Sequence, residues 1–99
     1  MLENLKLSSF SEHLGTKFRV YGGEDASVEL ELVEAVNRGS NAKQERFAIL
    51  FRGPMEVAVV QGTYKVTHDR LGSFDLFLVP IGVNEGGREY EAVFNRLVT

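Results

Sequence analysis

The stretch Ser27-Val28-Glu29-Leu30-Glu31-Leu32-Val33-Glu34-Ala35-Val36-Asn37 decides how this chain folds. From Val28 to Leu32 apolar and acidic residues alternate, so Val28, Leu30 and Leu32 share one side of a strand while Glu29 and Glu31 take the other. A two-residue period marks a strand with one buried and one wet face. At Val33 the phase slips, because Val33 and Ala35 are apolar and Glu34 is not. A β-bulge near Leu32-Val33 restores the apolar face and bends the strand.

The same period recurs on both sides of this stretch. Upstream, Lys17 to Tyr21 places Phe18 and Val20 on one side and closes with Gly22-Gly23-Glu24-Asp25. Downstream, after the turn Arg38-Gly39-Ser40-Asn41, a strand from Arg46 to Arg52 buries Phe47, Ile49 and Phe51. It stops at Gly53-Pro54, where proline has no N–H for a ladder. A fourth strand is predicted from Val57 to His68, with Val60, Gly62, Tyr64, Val66 and His68 on one face and a bend at Gly62. After the turn Asp69-Arg70-Leu71-Gly72, the stretch Ser73 to Ile81 is apolar on both faces, which predicts cover on both sides. Asn84-Glu85-Gly86-Gly87 is a hairpin turn, and the sixth strand, Arg88 to about Val98, buries Tyr90, Ala92 and Phe94.

Ahead of the strands, Ser9-Phe10-Ser11-Glu12 fits a capping box, with Ser9 as the cap. Phe10 and Leu14 then fall four apart on one helical face, and Gly15 ends the helix. Such a short helix lays both side chains over one open end of a sheet. The expected fold is all-β: a six-stranded antiparallel barrel or strongly coiled sheet with a short N-terminal helix, one domain spanning 1–99. An open sandwich is the competing arrangement; closure hides the edges of so strand-rich a chain.

Composition narrows the function classes. The 99 residues are 43% hydrophobic and 25% charged, as in a folded globular chain, and 11 basic against 14 acidic side chains leave a net charge of -3. No Lys/Arg block provides a footprint for nucleic acid. With no cysteine, disulfides, thiolate zinc sites and thiol nucleophiles are excluded. The opening Met1-Leu2-Glu3-Asn4-Leu5-Lys6 carries no long apolar run, so neither a secretory signal nor a membrane span is expected, and a cytoplasmic location is the default.

Several clusters together carry a resemblance. They are Phe47-Ala48-Ile49-Leu50-Phe51-Arg52-Gly53-Pro54, Gln61-Gly62-Thr63-Tyr64, His68 with Leu71-Gly72, Phe77-Leu78-Val79-Pro80-Ile81-Gly82 and Tyr90-Glu91-Ala92-Val93-Phe94-Asn95, along with Leu14-Gly15 and Phe18. Over nearly its whole length the chain resembles a small bacterial family of about this size with no assigned activity. Some of that family's members lie near phage-tail-like or collar-type proteins, so the resemblance implies a structural partner role. It implies no catalytic residues.

The residues that bear chemistry are few. His68, beside Asp69, shares the inner face with Tyr64 and Val66. It is either a ligand or general base, or a strand-end residue bonded to turn backbone, and the second reading is favoured. His13 sits on the helix away from Phe10 and Leu14, and the two histidines lack ligand spacing, so no metal or other cofactor is expected. Glu29 with Glu31, and Glu89 with Glu91, have the spacing that acid/base work in glycoside hydrolysis uses. Each pair nonetheless lies opposite an apolar face, where a solvated surface balanced by Arg and Lys of neighbouring strands is expected. The serines at 8, 9, 11, 27, 40 and 73 lack the strand–turn–helix setting of a nucleophile elbow. Gly22-Gly23 and Gly86-Gly87 sit in hairpin turns, which make poor phosphate cradles.

One surplus remains: Leu50, Phe77, Val79 and Ile81 lie opposite the inner set. The helix, a second copy of the chain or another protein must cover them, at roughly 1.5–3 kcal/mol per buried side chain. The leading expectation is a non-catalytic structural or protein-interaction module, accessory to a tail-like assembly, with those four residues as its interface. The alternative is a small-ligand-binding barrel with Tyr64, His68 and Tyr90 near its mouth. An enzyme would require His68 against a carboxylate inside a cleft.

Overall fold

A computed structural model describes residues 5–23 and 25–97. Six antiparallel strands, β1 (Lys17–Tyr21), β2 (Ser27–Asn37), β3 (Gln44–Gly53), β4 (Gly62–His68), β5 (Gly72–Asn84) and β6 (Gly87–Leu97), follow a short helix, α1 (Leu7–Ser11). They close into a ring in the order β1-β2-β3-β6-β5-β4, with β1 returning to β4 through Arg19↔Thr67, Val20↔Val66 and Tyr21↔Lys65. The arrangement is the closed one rather than the sandwich. Met1–Asn4, Glu24 of the first turn and Val98 lie outside the described residues.

The bulge in β2 falls where the phase of the sequence slips. Leu32 pairs with Phe51 and Glu34 with Leu50, leaving Val33 as the extra residue. Inward residues of every strand meet in one cluster: Phe18, Val20, Leu30, Leu32, Phe47, Ile49, Phe51, Val66, Phe74, Leu76, Leu78, Tyr90, Ala92 and Phe94, together with Phe10 of α1 and Val59. Phe10 has no exposed surface, and its ring lies 5.4–6.3 Å from those of Phe18, Phe47, Phe74 and Phe94. The helix thus stoppers the mouth where β1, β3 and β5 begin.

Four local expectations need correction. The helix starts at Leu7, and Ser9 lies in its first turn, accepting a hydrogen bond from the Lys6 N–H instead of capping a later start. Because α1 ends at Ser11, Leu14 is off the helix and half exposed, while Gly15 takes the left-handed conformation in the connection to β1. Residues 57–61 are not strand. The ladder between β4 and β5 ends at Gly62↔Leu78; the next pair of the same kind would oppose Val60 to Pro80, and proline offers no N–H. Finally, β5 runs on to Asn84 with a bulge between Pro80 and Gly82, and its outer face is not covered. Phe77 and Ile81 are 51% and 45% exposed, because the helix that could have covered them sits at the barrel mouth.

The paired carboxylates lie outside, as their opposition to apolar faces implies. Arg19 meets Glu29 at 3.2 Å, Lys17 meets Glu31 at 3.8 Å, Arg52 meets Glu89 at 3.2 Å and Arg38 meets Glu91 at 3.1 Å. Each is an exposed or half-exposed pair of the kind that contributes about 0–1 kcal/mol.

Candidate functional site

Two mouths and one outer face carry the residues that sequence reasoning singles out. At the helix mouth, His68 ends β4. Its Nδ1 accepts hydrogen bonds from the backbone N–H of Arg70 (3.0 Å) and Leu71 (3.2 Å), which folds the turn into β5. With two donors aimed at Nδ1, the proton of the neutral ring sits on Nε2, which donates to Thr16 Oγ1 at 2.9 Å. Thr16 in turn donates to the His13 carbonyl at 2.6 Å. The ring also packs on Phe18, centroids 4.2 Å apart. Burial lowers the His68 pKa first and the neighbouring His13 second, while Asp69 pulls the other way. A histidine placed this way ties one turn to the segment that follows the helix.

His13, which the sequence places on the helix and away from the core, lies beyond it with its ring 4.8 Å from that of His68. Together with Thr16, Lys17, Arg19, Glu29, Thr67, Asp69 and Arg70 the two histidines line an open concavity of about 920 Å³. Its charged groups are partly committed: Arg19 is held by Glu29, and both His68 nitrogens are occupied. Among the described residues no group of three or more His, Asp and Glu side chains is placed to hold a metal ion.

Tyr64 and Tyr90 belong to the opposite mouth. There the irregular segment 54–61 crosses from the end of β3 to the start of β4. Tyr90, 1% exposed, accepts a hydrogen bond from the Val59 N–H (3.0 Å) and donates to the Val57 carbonyl (3.3 Å). Tyr64 donates to the Val60 carbonyl at 2.6 Å, and Arg88 Nε to the Met55 carbonyl at 2.8 Å. A segment without a ladder leaves backbone groups in need of partners, and these three side chains supply them. A shallow apolar concavity of about 220 Å³ lies between the strap, Tyr64 and the β1–β2 turn. The structure therefore brings Tyr64 and Tyr90 to one strap and leaves His68 at the far mouth.

The third place is the outer face of β5 and β6. Phe77, Ile81 and Val93 are exposed and Val79 is half-buried. Leu50 is set apart from Val79 by Glu91, which pairs with both of them across the sheet and is itself held by Arg38. Val93 takes a place in this row that the sequence reading missed. The signal was present, since Val93 is the one apolar residue among the outward positions Glu89, Glu91, Val93 and Asn95.

The family described as a domain of unknown function, DUF6916, matches residues 5–94. The chain belongs to that family. The match spans α1, β1 to β5 and β6 as far as Phe94. No curated protein and no solved structure matches the chain. No helix among the described residues is long and apolar enough to cross a membrane.

Proposed function

We propose that this DUF6916 chain is a non-catalytic protein-interaction module, working in the bacterial cytoplasm as an accessory of a larger, tail-like assembly. The observation that carries this reading is the uncovered apolar row on one side of the barrel, Phe77, Ile81 and Val93, 51%, 45% and 61% exposed. Apolar side chains grouped on one exposed face mark an interaction surface, whereas scattered ones need no explanation. Support for a non-catalytic role comes from the chemistry-bearing residues. His68 spends Nδ1 on turn backbone and Nε2 on Thr16, and Glu29, Glu31, Glu89 and Glu91 each face a cation. The ligand-barrel alternative has less behind it, since six phenylalanines fill the interior and the three residues proposed to line its mouth lie at opposite ends.

The test is a paired capture from a bacterial host, with the wild-type chain and Phe77→Glu as baits. Phe77 is exposed, so the substitution leaves the core intact. Proteins held by the wild type and lost by the variant support the reading; identical sets from both baits overturn it.

A further inference from the structure

Both nitrogens of the His68 ring are committed, but in opposite senses. Nδ1 accepts from two backbone donors, the N–H groups of Arg70 (3.0 Å) and Leu71 (3.2 Å), whereas Nε2 donates to Thr16 Oγ1 (2.9 Å). A charged imidazole carries a proton on each nitrogen and has no acceptor left. A proton added to Nδ1 aims a third N–H at the two of the turn, so both turn bonds are lost. The bond to Thr16 uses the Nε2 proton, which the charged ring keeps. One proton therefore unties the β4–β5 turn and spares the tie to the segment behind the helix.

The two sides of this mouth differ in what else holds them. Leu71 is partly buried against the core cluster, and its N–H is one of the two that lose their acceptor. The helix side has anchors of its own: the Gly15 N–H donates to the Leu32 carbonyl at 2.7 Å, and the Leu32 N–H to the Thr16 carbonyl at 3.0 Å. Both are backbone bonds, which do not titrate. Phe10 of α1 adds its wholly buried ring.

The surroundings set the acidity at which the ring charges. Six titratable or charged side chains share the concavity with His68: His13 from the connection, Lys17 and Arg19 from β1, Glu29 from β2, and Asp69 and Arg70 from the turn. Glu29 is held by Arg19 at 3.2 Å, and Asp69 is the carboxylate that favours a charged His68. Burial to 8% exposure opposes it, and so does His13, whose ring lies 4.8 Å away.

We infer that His68 is a proton-operated latch: acid frees the β4–β5 turn, with Leu71, at the helix mouth while α1 stays seated, and His13 sets the pH of release. Because the folded ring holds a proton less well than the unfolded one, release falls below about pH 6.5. The latch is separate from the apolar face of β5 and β6 and needs no partner.

The test is solvent exchange of single backbone amides by NMR, on the full chain, from above to below about pH 6.5. Each rate is divided by that of an unstructured chain at the same pH, and the His68 ring is followed through its own nitrogen signals. The neutral ring is expected to carry its proton on Nε2. As it titrates, protection of the Arg70 and Leu71 amides should fall about tenfold, the scale set by the bonds lost, while the Gly15 and Leu32 amides keep theirs. His13→Gln should move ring titration and turn release together to higher pH. Turn protection that persists through titration of the ring overturns the inference. So does loss of protection at all four amides together, which would mean that acid opens the whole mouth, and so does an unchanged midpoint in His13→Gln.

Discussion

At one mouth of the barrel Phe10 descends from a five-residue helix among four phenylalanine rings; at the other, eight residues without regular structure are drawn across the opening by two tyrosines and an arginine. The helical turn bonds part of its own backbone, Phe10 N–H to the Lys6 carbonyl and Glu12 N–H to the Ser8 carbonyl, so the side chain it buries can seal by apolar contact. The strap cannot, because its N–H and C=O groups pair with neither a helix nor a sheet. The contrast shows why aromatic residues of similar size do different work at the two ends: phenylalanine where a helical turn and its own serines bond the plug's backbone, tyrosine where the plug has no such turn.

The sharpest way to break this comparison is at the helix mouth. Phe10→Ala removes a wholly buried ring that touches four others, so the urea midpoint should fall by an amount equivalent to about 3–5 kcal/mol. If the loss is below about 1 kcal/mol, the helix does not stopper the barrel and the apolar half of the contrast goes.

At the strap mouth the corresponding variant is Tyr90→Phe. It keeps the ring and deletes the hydroxyl that serves both the Val59 N–H and the Val57 carbonyl. Leaving the buried Val59 N–H unpaired costs about 1–3 kcal/mol. Hydrogen exchange at the Val59 amide should quicken more than at the β3–β6 amides. Equal changes across the sheet would mean that Tyr90 stabilises by packing, and that the strap is held some other way.

How much of this was legible before the structure depends on how far each signal travels along the chain. The Val33 bulge could be read because a phase slip is written into adjacent residues. The outward carboxylates and their cations could be read from alternation alone. What failed depended on distant partners. Residues 57–61 carry a strand-like pattern, and what denies them a strand is Pro80, some twenty residues later and across the ladder. Ser9 carries a hydroxyl that serves as readily in the first turn, bonding back to Lys6, as at a cap. His13 and His68 meet only because the helix ends early and β4 returns beside β1. For the candidate site, the apolar surplus on β5 was plain in the sequence. Its lack of cover was not, because that depended on where the helix docked.

A third measurement sharpens the contrast through pH. His68 is the titrating residue that ties the helix mouth, and its pKa lies below the ordinary histidine value because burial, then His13, disfavours the charged ring. The unfolded chain therefore takes up the proton more readily than the folded one. The contribution of His68 to stability is complete above about pH 6.5 and is lost as pH falls from there through the lower folded value. His68→Asn keeps an acceptor for the Arg70 and Leu71 amides but cannot titrate. The difference in urea midpoint between wild type and variant should thus be constant at high pH and shift against the wild type on acidification. Parallel profiles would show that His68 is neutral to the fold, and Tyr90→Phe should leave the pH dependence unaltered.

The smallest effect tests whether the strap argument has been drawn at the right atoms. Tyr64 makes the shorter hydrogen bond of the two tyrosines, 2.6 Å to the Val60 carbonyl against 3.0 Å at Tyr90, and on distance alone Tyr64→Phe should cost more. Exposure argues the reverse. Val60 is 70% exposed, so water can take over its carbonyl when the hydroxyl is removed, whereas the Val59 N–H under Tyr90 is buried and has no such replacement. Since the net value of a hydrogen bond is set by what replaces it, Tyr64→Phe should cost only about 0.5 kcal/mol. Unfolding curves that ranked Tyr64→Phe above Tyr90→Phe would mean that the end of the strap near β4, not its buried middle, holds the mouth closed. The seal would then depend on the point where Pro80 halts the ladder.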